Sequence, residues 1–364
     1  MDLKPRAYEK IVQLINKGVA IHNPLTLDIG DEVVVDRISG SGVTLYPGCR
    51  IYGEKTVISG GVVLGKEGPV TIDNCQLGPE VELKAGYCNK AVFLQKANMA
   101  SGAHVREGCI LEEEANGAHC VGLKQTILFP FVTLGSLINF CDCLMAGGTD
   151  RRNHSEVGSS YIHFNFTPNQ DKATPSLIGD VPRGVMLNQK PIFLGGQGGI
   201  VGPVRLAFGT TVAAGTILRK SELRPDRLIF GGAAKAGNIE FQPGRFSATG
   251  RIIKNNMVYI ANLMALHQWY RRVRSLFVGQ KFPETLLAGL LENSRFAALE
   301  RIRCLKDFGD KMAQLLLRNL DFFGHFVKAD RQPFYLFSAG YRHHLIIITL
   351  GYIFCRSRKS LYRK

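Results

Sequence analysis

Aliphatic residues recur every six positions over much of this chain, with small or turn-forming residues between them. The clearest uninterrupted run comprises Ile200, Leu206, Val212 and Leu218. A helix gathers aliphatic residues at three- and four-residue steps and a half-buried strand at every second residue, so a period of six predicts the short rungs of a solenoid. Stacked rungs bury aliphatic side chains only by repetition. The pattern therefore predicts a parallel β-helix as the main fold.

The same period appears earlier in the chain, in two further series. One series contains Leu45, Ile51, Val57 and Val63, and the other contains Met99, Val105 and Leu111. Glycines fall near the expected corners, where a tight turn needs backbone freedom. We therefore expect one β-helix from Ile21 to Leu218. Its interruptions, Thr149–Asn153 and Phe164–Pro175, are predicted loops, and loops often carry functional residues.

Helical periodicity replaces the six-residue repeat beyond Arg219. Aliphatic and aromatic residues at three- and four-residue steps predict one helix over 251–276 and a second from Pro283 to about Leu320. A short amphipathic helix ending at Gly18 is predicted at the N-terminus. These patterns predict four parts: an N-terminal helix (1–20), a β-helix domain (21–220), a linker or closing segment (221–250) and a helical basic region (251–364).

Glycine content and charge both change near residue 250. Residues 1–250 hold 34 of the 40 glycines, and residues 251–364 hold 20 Lys and Arg against 7 Asp and Glu. Those basic side chains are either the solvated face of packed helices or a surface for an anionic partner such as phospholipid. Aromatic residues are not interleaved with them, which disfavours nucleic acid as the partner. The apolar stretch 345–355 is shorter than a membrane span.

The nine cysteines are odd in number and irregularly spaced, and no signal peptide is recognisable. Reduced thiols in a cytoplasmic protein are therefore expected, not a disulfide framework. Cys141 and Cys143, with His119 and Cys120, contain zinc-ligand residue types, but no second spaced pair accompanies them. Buried thiols within the rungs are the preferred interpretation, and no metal is predicted.

Six short segments in the second half of the repeat resemble one known family. VGSSYIHFNF (157–166) resembles IGAGTITCNY, and KAT (172–174) followed by LIGD (177–180) resembles KxxT and IGD. FLGG (193–196), IVGPV (200–204) and TVAAGT (211–216) resemble FVGS, LVAPV and TIAAGT. The family is that of the left-handed β-helix hexapeptide acyltransferases. Residues 155–218 are most similar to the acetyltransferase half of the bifunctional bacterial enzyme that makes UDP-N-acetylglucosamine.

The resemblance implies a site for acetyl transfer from acetyl-CoA to a sugar phosphate or nucleotide sugar, between the subunits of a homotrimer. It implies a histidine as general base, and an unperturbed pKa near ~6.5 suits that role. His154 matches the family position best and His163 is the rival. Asn165 would orient the base or the acyl carbonyl. The resemblance also implies cofactor contacts from Gly196, Ala214 and Phe166, and a phosphate contact from Lys172.

Three departures from the family pattern keep a second function open. The connection between His154 and Val157 is about one coil shorter, Phe166 replaces a tyrosine, and Gly135 stands where the family has a phosphate-binding lysine. Arg151 and Arg152 are candidate replacements, because guanidinium groups bind phosphate through two hydrogen bonds. No Gly-rich nucleotide-binding loop accompanies the repeat, so uridylyltransferase activity is not expected. The alternative function is a catalytically altered solenoid that binds a sugar nucleotide or scaffolds a partner.

Overall fold

A computed structural model describes residues 4–165, 167–169, 171–231, 237–238, 246 and 248–321, with side chains up to residue 312. Most of these residues lie in one compact unit, 1–314, and a second unit comprises 315–364. The predicted stretch 345–355 and Phe166 lie outside the described residues.

The strands stack into a parallel β-helix of three faces and about eleven coils, which confirms the predicted fold class. Face 1 consists of Ala20–Ile21, Thr44–Leu45, Val63–Leu64, Glu82–Leu83, Asn98–Met99, Asn116–Gly117, Thr133–Leu134, Glu156–Val157, Phe193–Leu194, Thr211–Val212 and Leu228–Ile229. The last strand of this face extends the solenoid beyond the predicted end at 220.

Faces 2 and 3 belong to a single sheet, because two long strands turn the corner between them. Face 2 consists of Asp28–Ile29, Arg50–Tyr52, Val70–Asp73, Gly86–Asn89, Ala103–Val105, Gly122–Leu128, Asn139–Met145, Ile162–Phe164, Gly199–Val201 and Ile217–Leu218. Face 3 shares Gly122–Leu128 and Asn139–Met145, and adds Val57–Ile58, Gln76–Leu77, Ala91–Phe93, Cys109–Leu111, Ser176–Ile178 and Arg205–Leu206.

The spacing of paired residues on face 1 gives the length of each coil. Leu45 pairs with Leu64 and Leu64 with Leu83, so these coils have 19 residues. Two later coils are longer, since Leu134 pairs with Val157 and Val157 with Leu194. The extra residues form projections at the edges of the prism, and the predicted loops 149–153 and 164–175 lie in them.

The core is the column of inward-facing side chains inside the coils. The periodic aliphatic residues of the later two series are all buried, as the period predicts: Ile200, Leu206, Val212 and Leu218, and Met99, Val105 and Leu111. The first series shifts by one position after Ile51, and Ile58 and Leu64 take the inward places. The shift arises because those coils have 19 residues, one more than three rungs of six.

Helices cover one end and one side of the solenoid. Helix α1 (Tyr8–Lys17) ends at Gly18 as predicted, and Ile11 and Leu14 join the core cluster. Short 3₁₀ turns follow at Pro24–Thr26 and Val35–Arg37, and a single-turn helix, α2 (Val181–Gly184), lies in the longest coil. Helix α3 (Thr249–Arg272), a 3₁₀ turn (Arg274–Phe277) and α4 (Glu284–Asp321) complete the described chain.

Helices α3 and α4 pack along the solenoid in opposite directions. On α3, Arg251 Nη1 donates to Pro203 O at 2.8 Å and Tyr270 donates to Glu112 at 2.5 Å. On α4, Asn293 donates to Lys90 O at 3.2 Å, and Arg301 lies much further along the coils. Of the aliphatic residues of α4, Leu286 and Leu290 are buried in the core cluster, whereas Leu299 and Ile302 are exposed. In the described ranges no helix has the length and hydropathy to cross a membrane.

Candidate functional site

The hairpin that carries His154 projects from the edge between face 3 and face 1. Its antiparallel strands are Gly148–Asp150 and Asn153–His154. Gly148 has φ +100°, and a Cβ there would lie 2.6 Å from the Cα of His154. Only glycine permits that approach in that conformation. The hairpin places Arg151, Arg152 and His154 together on one edge, as their proximity in sequence predicts.

His154 is half-buried and has the electrostatic surroundings of a neutral imidazole. Burial, and secondly the nearby Arg151 guanidinium, hold the pKa of His154 below its usual value. Its Nδ1 atom is buried without a hydrogen-bond partner of normal geometry. Arg151 is fixed beside it, because Nη1 donates to Glu114 O at 2.9 Å and Nη2 donates to the Thr133 hydroxyl. An imidazole in this state can accept a proton at neutral pH.

His163 has a different environment, inside the coil. Its side chain is 2% exposed and pairs in register with the core residue Ile200. Nε2 lies 2.8 Å from the Ser176 hydroxyl, and that oxygen also accepts from Val204 N at 3.0 Å. Burial lowers the pKa of His163 to about 4. The ring is therefore a neutral core group without access to an external substrate in a single chain.

Asn165 and Lys172 lie in the projection on the edge between face 2 and face 3. Burial raises the pKa of the Asp142 carboxyl, and the Arg301 guanidinium and the nearby Asn165 side chain lower it by less. Asp142 Oδ1 lies 3.0 Å from Arg301 Nη2 of helix α4. The Lys172 side chain is exposed, and its carbonyl accepts from Arg301 Nη1 at 3.2 Å. Asn165 thus contacts a buried ion pair that its local sequence does not predict.

Gly196 and Ala214 stack on consecutive coils at the edge between face 1 and face 2. Gly215 N donates to Gly196 O at 2.9 Å, so the two corners are in register. A Cβ on Gly196 would lie 2.6 Å from Ser159 O, and one on Gly158 would lie 2.4 Å from Gly196 N. The corner therefore has room for backbone only. Glycine at these positions allows the main chains of neighbouring coils to pack closely.

A groove of about 510 Å³ lies on face 2 beside the same edge. Gly122 forms part of its floor because it carries no side chain between His104 and Asn139, its neighbours in register. Arg106 and Ile162 also line the groove. These residues were not predicted as a site, since in sequence they occupy ordinary outward positions of the repeat.

The described cysteines do not form a zinc site or a disulfide. All eight of them are free thiols, and only Cys120 is exposed. Cys141 and Cys143 are buried on either side of Asp142, which pairs with Arg301. Within the described ranges, His, Cys, Asp and Glu side chains nowhere gather in groups of three or more that could hold a metal ion.

The predicted site residues are thus divided among the three edges of the prism. His154, Arg151 and Arg152 share one edge, Asn165 and Lys172 a second, and Gly196 and Ala214 the third. A single chain does not bring the three sets together. Asp142, Arg301 and Asn256 were missed because each looks like a solvated or incidental polar position until the helices are docked on the solenoid.

The fold defines the chain as a parallel β-helix protein built on a six-residue repeat. The chain is similar to the bifunctional protein GlmU of Thermotoga maritima, with 25% identity over 210 residues. That region covers 57% of this chain and 41% of the relative. GlmU of Trichlorobacter lovleyi is 24% identical over 218 residues, which cover 60% of this chain and 42% of that protein.

GlmU of Staphylococcus haemolyticus is 25% identical over 207 residues, covering 57% of this chain and 40% of the relative. No family model matches the chain. The chain therefore spans about two fifths of the length of the curated relatives it matches. The matched part and the β-helix together confirm the predicted resemblance: the solenoid is a GlmU-like β-helix segment.

Proposed function

We propose that this protein is a CoA-dependent acyltransferase that transfers an acetyl group to an amino or hydroxyl group of a sugar phosphate or nucleotide sugar. The observation that carries the proposal is His154, a half-buried imidazole with a lowered pKa, fixed beside Arg151 on an insertion of a GlmU-like solenoid. The insertion gives the base access to solvent, which the core position of His163 does not.

The proposed reaction needs a general base and a set of hydrogen-bond donors that stabilise the oxyanion. Neutral His154 takes the proton of the acceptor group as that group attacks the thioester carbon. The carbon–sulfur bond then breaks, and the departing CoA thiolate takes the proton back from the imidazolium. Backbone N–H groups near the Gly196 corner would stabilise the oxyanion of the intermediate. Arg151, Arg152 and Lys172 supply positive charge for the phosphates of donor and acceptor.

A homotrimer is part of this proposal, because the donor and base positions occupy different edges of one prism. Packing of two copies side by side would bring the His154 edge of one chain to the Gly196 edge of another, and the projection on the third edge would have to extend Lys172 to this site. Acetyl-CoA would then lie between subunits. A cytoplasmic location, and contact of the basic C-terminal region with an anionic surface, remain predictions.

A non-catalytic solenoid is the second candidate, and one observation favours it. The Asn165 side chain, which would orient the base or the acyl carbonyl, lies instead beside the buried Asp142 carboxyl and lowers its pKa. A protein of this kind would bind a sugar nucleotide or a partner without turnover.

The deciding experiment is CoA-thiol release from acetyl-CoA by the full chain, across amino sugars headed by glucosamine 1-phosphate. His154→Gln, which removes the base, should lower kcat at least about 100-fold, the lower range for general-base catalysis. The matched control is His22→Gln, in the first coil and stacked on Tyr46, which should keep full activity.

His163→Gln completes the panel, since it separates a catalytic from a structural histidine. Equal loss in the His154 and His22 variants would refute His154 as the base. No thiol release with any acceptor, together with no binding of CoA, would refute the acyltransferase and favour the non-catalytic solenoid.

A further inference from the structure

The projection that carries Asn165 and Lys172 is held from outside the solenoid by the C-terminal helices. Three of its carbonyl oxygens accept hydrogen bonds from helix side chains. Asn256 Nδ2 of α3 donates to Ala173 O at 2.9 Å. Arg301 Nη1 of α4 donates to Lys172 O at 3.2 Å, and Lys311 Nζ donates to Asn169 O at 3.3 Å.

Arg301 also forms a buried ion pair with Asp142 of the solenoid strand Asn139–Met145. The side chains of Arg301 and Asp142 are 3% and 5% exposed, and their atoms lie 3.0 Å apart. Removing one partner of a buried pair leaves the other charge unpaired, which is strongly destabilising. The Asn165 side chain lowers the pKa of Asp142 and therefore lies beside this carboxyl. Arg301 therefore holds the projection directly at Lys172 and pairs with the carboxylate that lies beside Asn165.

The contacts with α4 do not involve the ammonium group of Lys172. Arg301 takes the carbonyl of Lys172, while the ammonium side chain stays exposed to solvent. The arrangement sets the backbone in place and presents the side chain outward.

We propose that Arg301 and Asn256 are positioning residues, which hold the Asn165–Lys172 projection so that Lys172 meets the phosphate of the acceptor. This inference rests on the proposed function for the role of Lys172. It assigns a purpose to helices α3 and α4, which lie outside the segments that resemble acyltransferases.

The first test is independent of activity and uses trypsin, which cleaves after lysine. Cleavage after Lys172 in the native full chain, followed by mass spectrometry, reports how often the projection opens. Arg301→Met should raise its rate at least about tenfold, because native-state proteolysis follows the population of the open form. Asn256→Ala, which keeps the ion pair, should raise it less.

Two further variants keep the result interpretable. Asn293→Ser removes another α4 tether, to Lys90 O and Cys109 O, and should leave cleavage after Lys172 unchanged. If Arg301→Met does not fold, the double variant Asp142→Asn/Arg301→Met removes the pair without leaving a buried charge. Unchanged cleavage after Lys172 in the folded Arg301 variant would overturn the inference, as would an equal rise in Asn293→Ser.

The kinetic test then asks whether positioning matters to turnover. Arg301→Met should raise the KM for the acceptor about tenfold while the KM for acetyl-CoA is unchanged, because small displacements of a binding group weaken the contacts it makes. Arg301→Lys should recover part of the loss. Equal changes in both KM values would indicate general destabilisation and refute the positioning role. If the parent chain lacks transferase activity, the trypsin result still decides whether the helices hold the projection.

Discussion

The core histidine His163 should make this protein sensitive to acid. Its ring lies inside the coil, hydrogen-bonded to Ser176, and burial lowers its pKa from 6.5 to about 4. The unfolded chain therefore binds a proton at this side chain at a higher pH than the folded chain does. Stability from this group is fully present above pH 6.5 and is lost as the pH falls towards 4.

The size of the loss follows from the two pKa values. At about 1.4 kcal/mol for each pH unit, the interval from 6.5 to about 4 corresponds to about 3 kcal/mol. Glu112 acts in the opposite direction over a similar range. Burial, with a smaller contribution from Glu113, raises the pKa of Glu112 to about 7, so its contribution to stability is lost as the pH rises from 4.5. The pH dependence of the parent protein's stability therefore does not by itself give the contribution of His163.

The assay is urea unfolding of the parent and of His163→Gln at pH 7.5, 5.5 and 4.0. Glutamine keeps a polar group near Ser176 but does not titrate. The variant should be the less stable protein at pH 7.5, and the parent should lose about 3 kcal/mol more than the variant on acidification to pH 4. Parallel curves for the two proteins would refute the argument. His22→Gln serves as the control for replacement of a histidine elsewhere.

Two further predictions concern contacts that the fold makes necessary. Tyr270→Phe removes the hydroxyl that donates to buried Glu112. It should cost about 1–3 kcal/mol in urea unfolding, and more at pH 8 than at pH 5, because the lost bond stabilises the ionised carboxylate. Gly158→Ala places a Cβ 2.4 Å from Gly196 N and should lower stability by about 1–3 kcal/mol, measured in the same assay. Gly122→Ala, where the nearest atom lies 3.8 Å away, should be tolerated. Equal costs for the two alanines, or a Tyr270 effect that is larger at pH 5, would contradict these expectations.

The repeat was predictable because it depends on local chemistry. Every coil needs inward aliphatic residues and tight corners, and both leave a period in the sequence. The register was less predictable. Val57 and Val63 fit the period, yet Ile58 and Leu64 pair with Leu77 and Leu83 along the core, because a coil of 19 residues moves the frame by one. Coil length depends on corner geometry that a simple period does not contain.

The site was predictable only where its residues are close in sequence. The hairpin brings Arg151, Arg152 and His154 together because they lie within four positions. His163 sits between two apolar neighbours, Ile162 and Phe164, which suggests an outward position. The structure places it inward, opposite Ile200, and turns those neighbours outward. The orientation of His163 depends on its pairing with Ile200 in the next coil. The long projection between these two residues interrupts the six-residue period, so the period does not predict the pairing.

The Arg301–Asp142 ion pair could not be predicted from the sequence around either residue. Arg301 belongs to a helix rich in basic residues, and most arginines in such helices face solvent. Its burial depends on where α4 crosses the coils. A pattern within one helix does not give that crossing point.

Helices α3 and α4 also change how the solenoid can come apart. In a simple repeat array each unit touches only its neighbours, so end units can fray one at a time. Here α4 joins early coils, through Lys55 and Glu292 at 2.6 Å, to the projection at Asn169. Opening one coil then disturbs a helix that distant coils share. The helices should convert a linear array into a single cooperative unit, in which later-synthesised helices link coils made earlier.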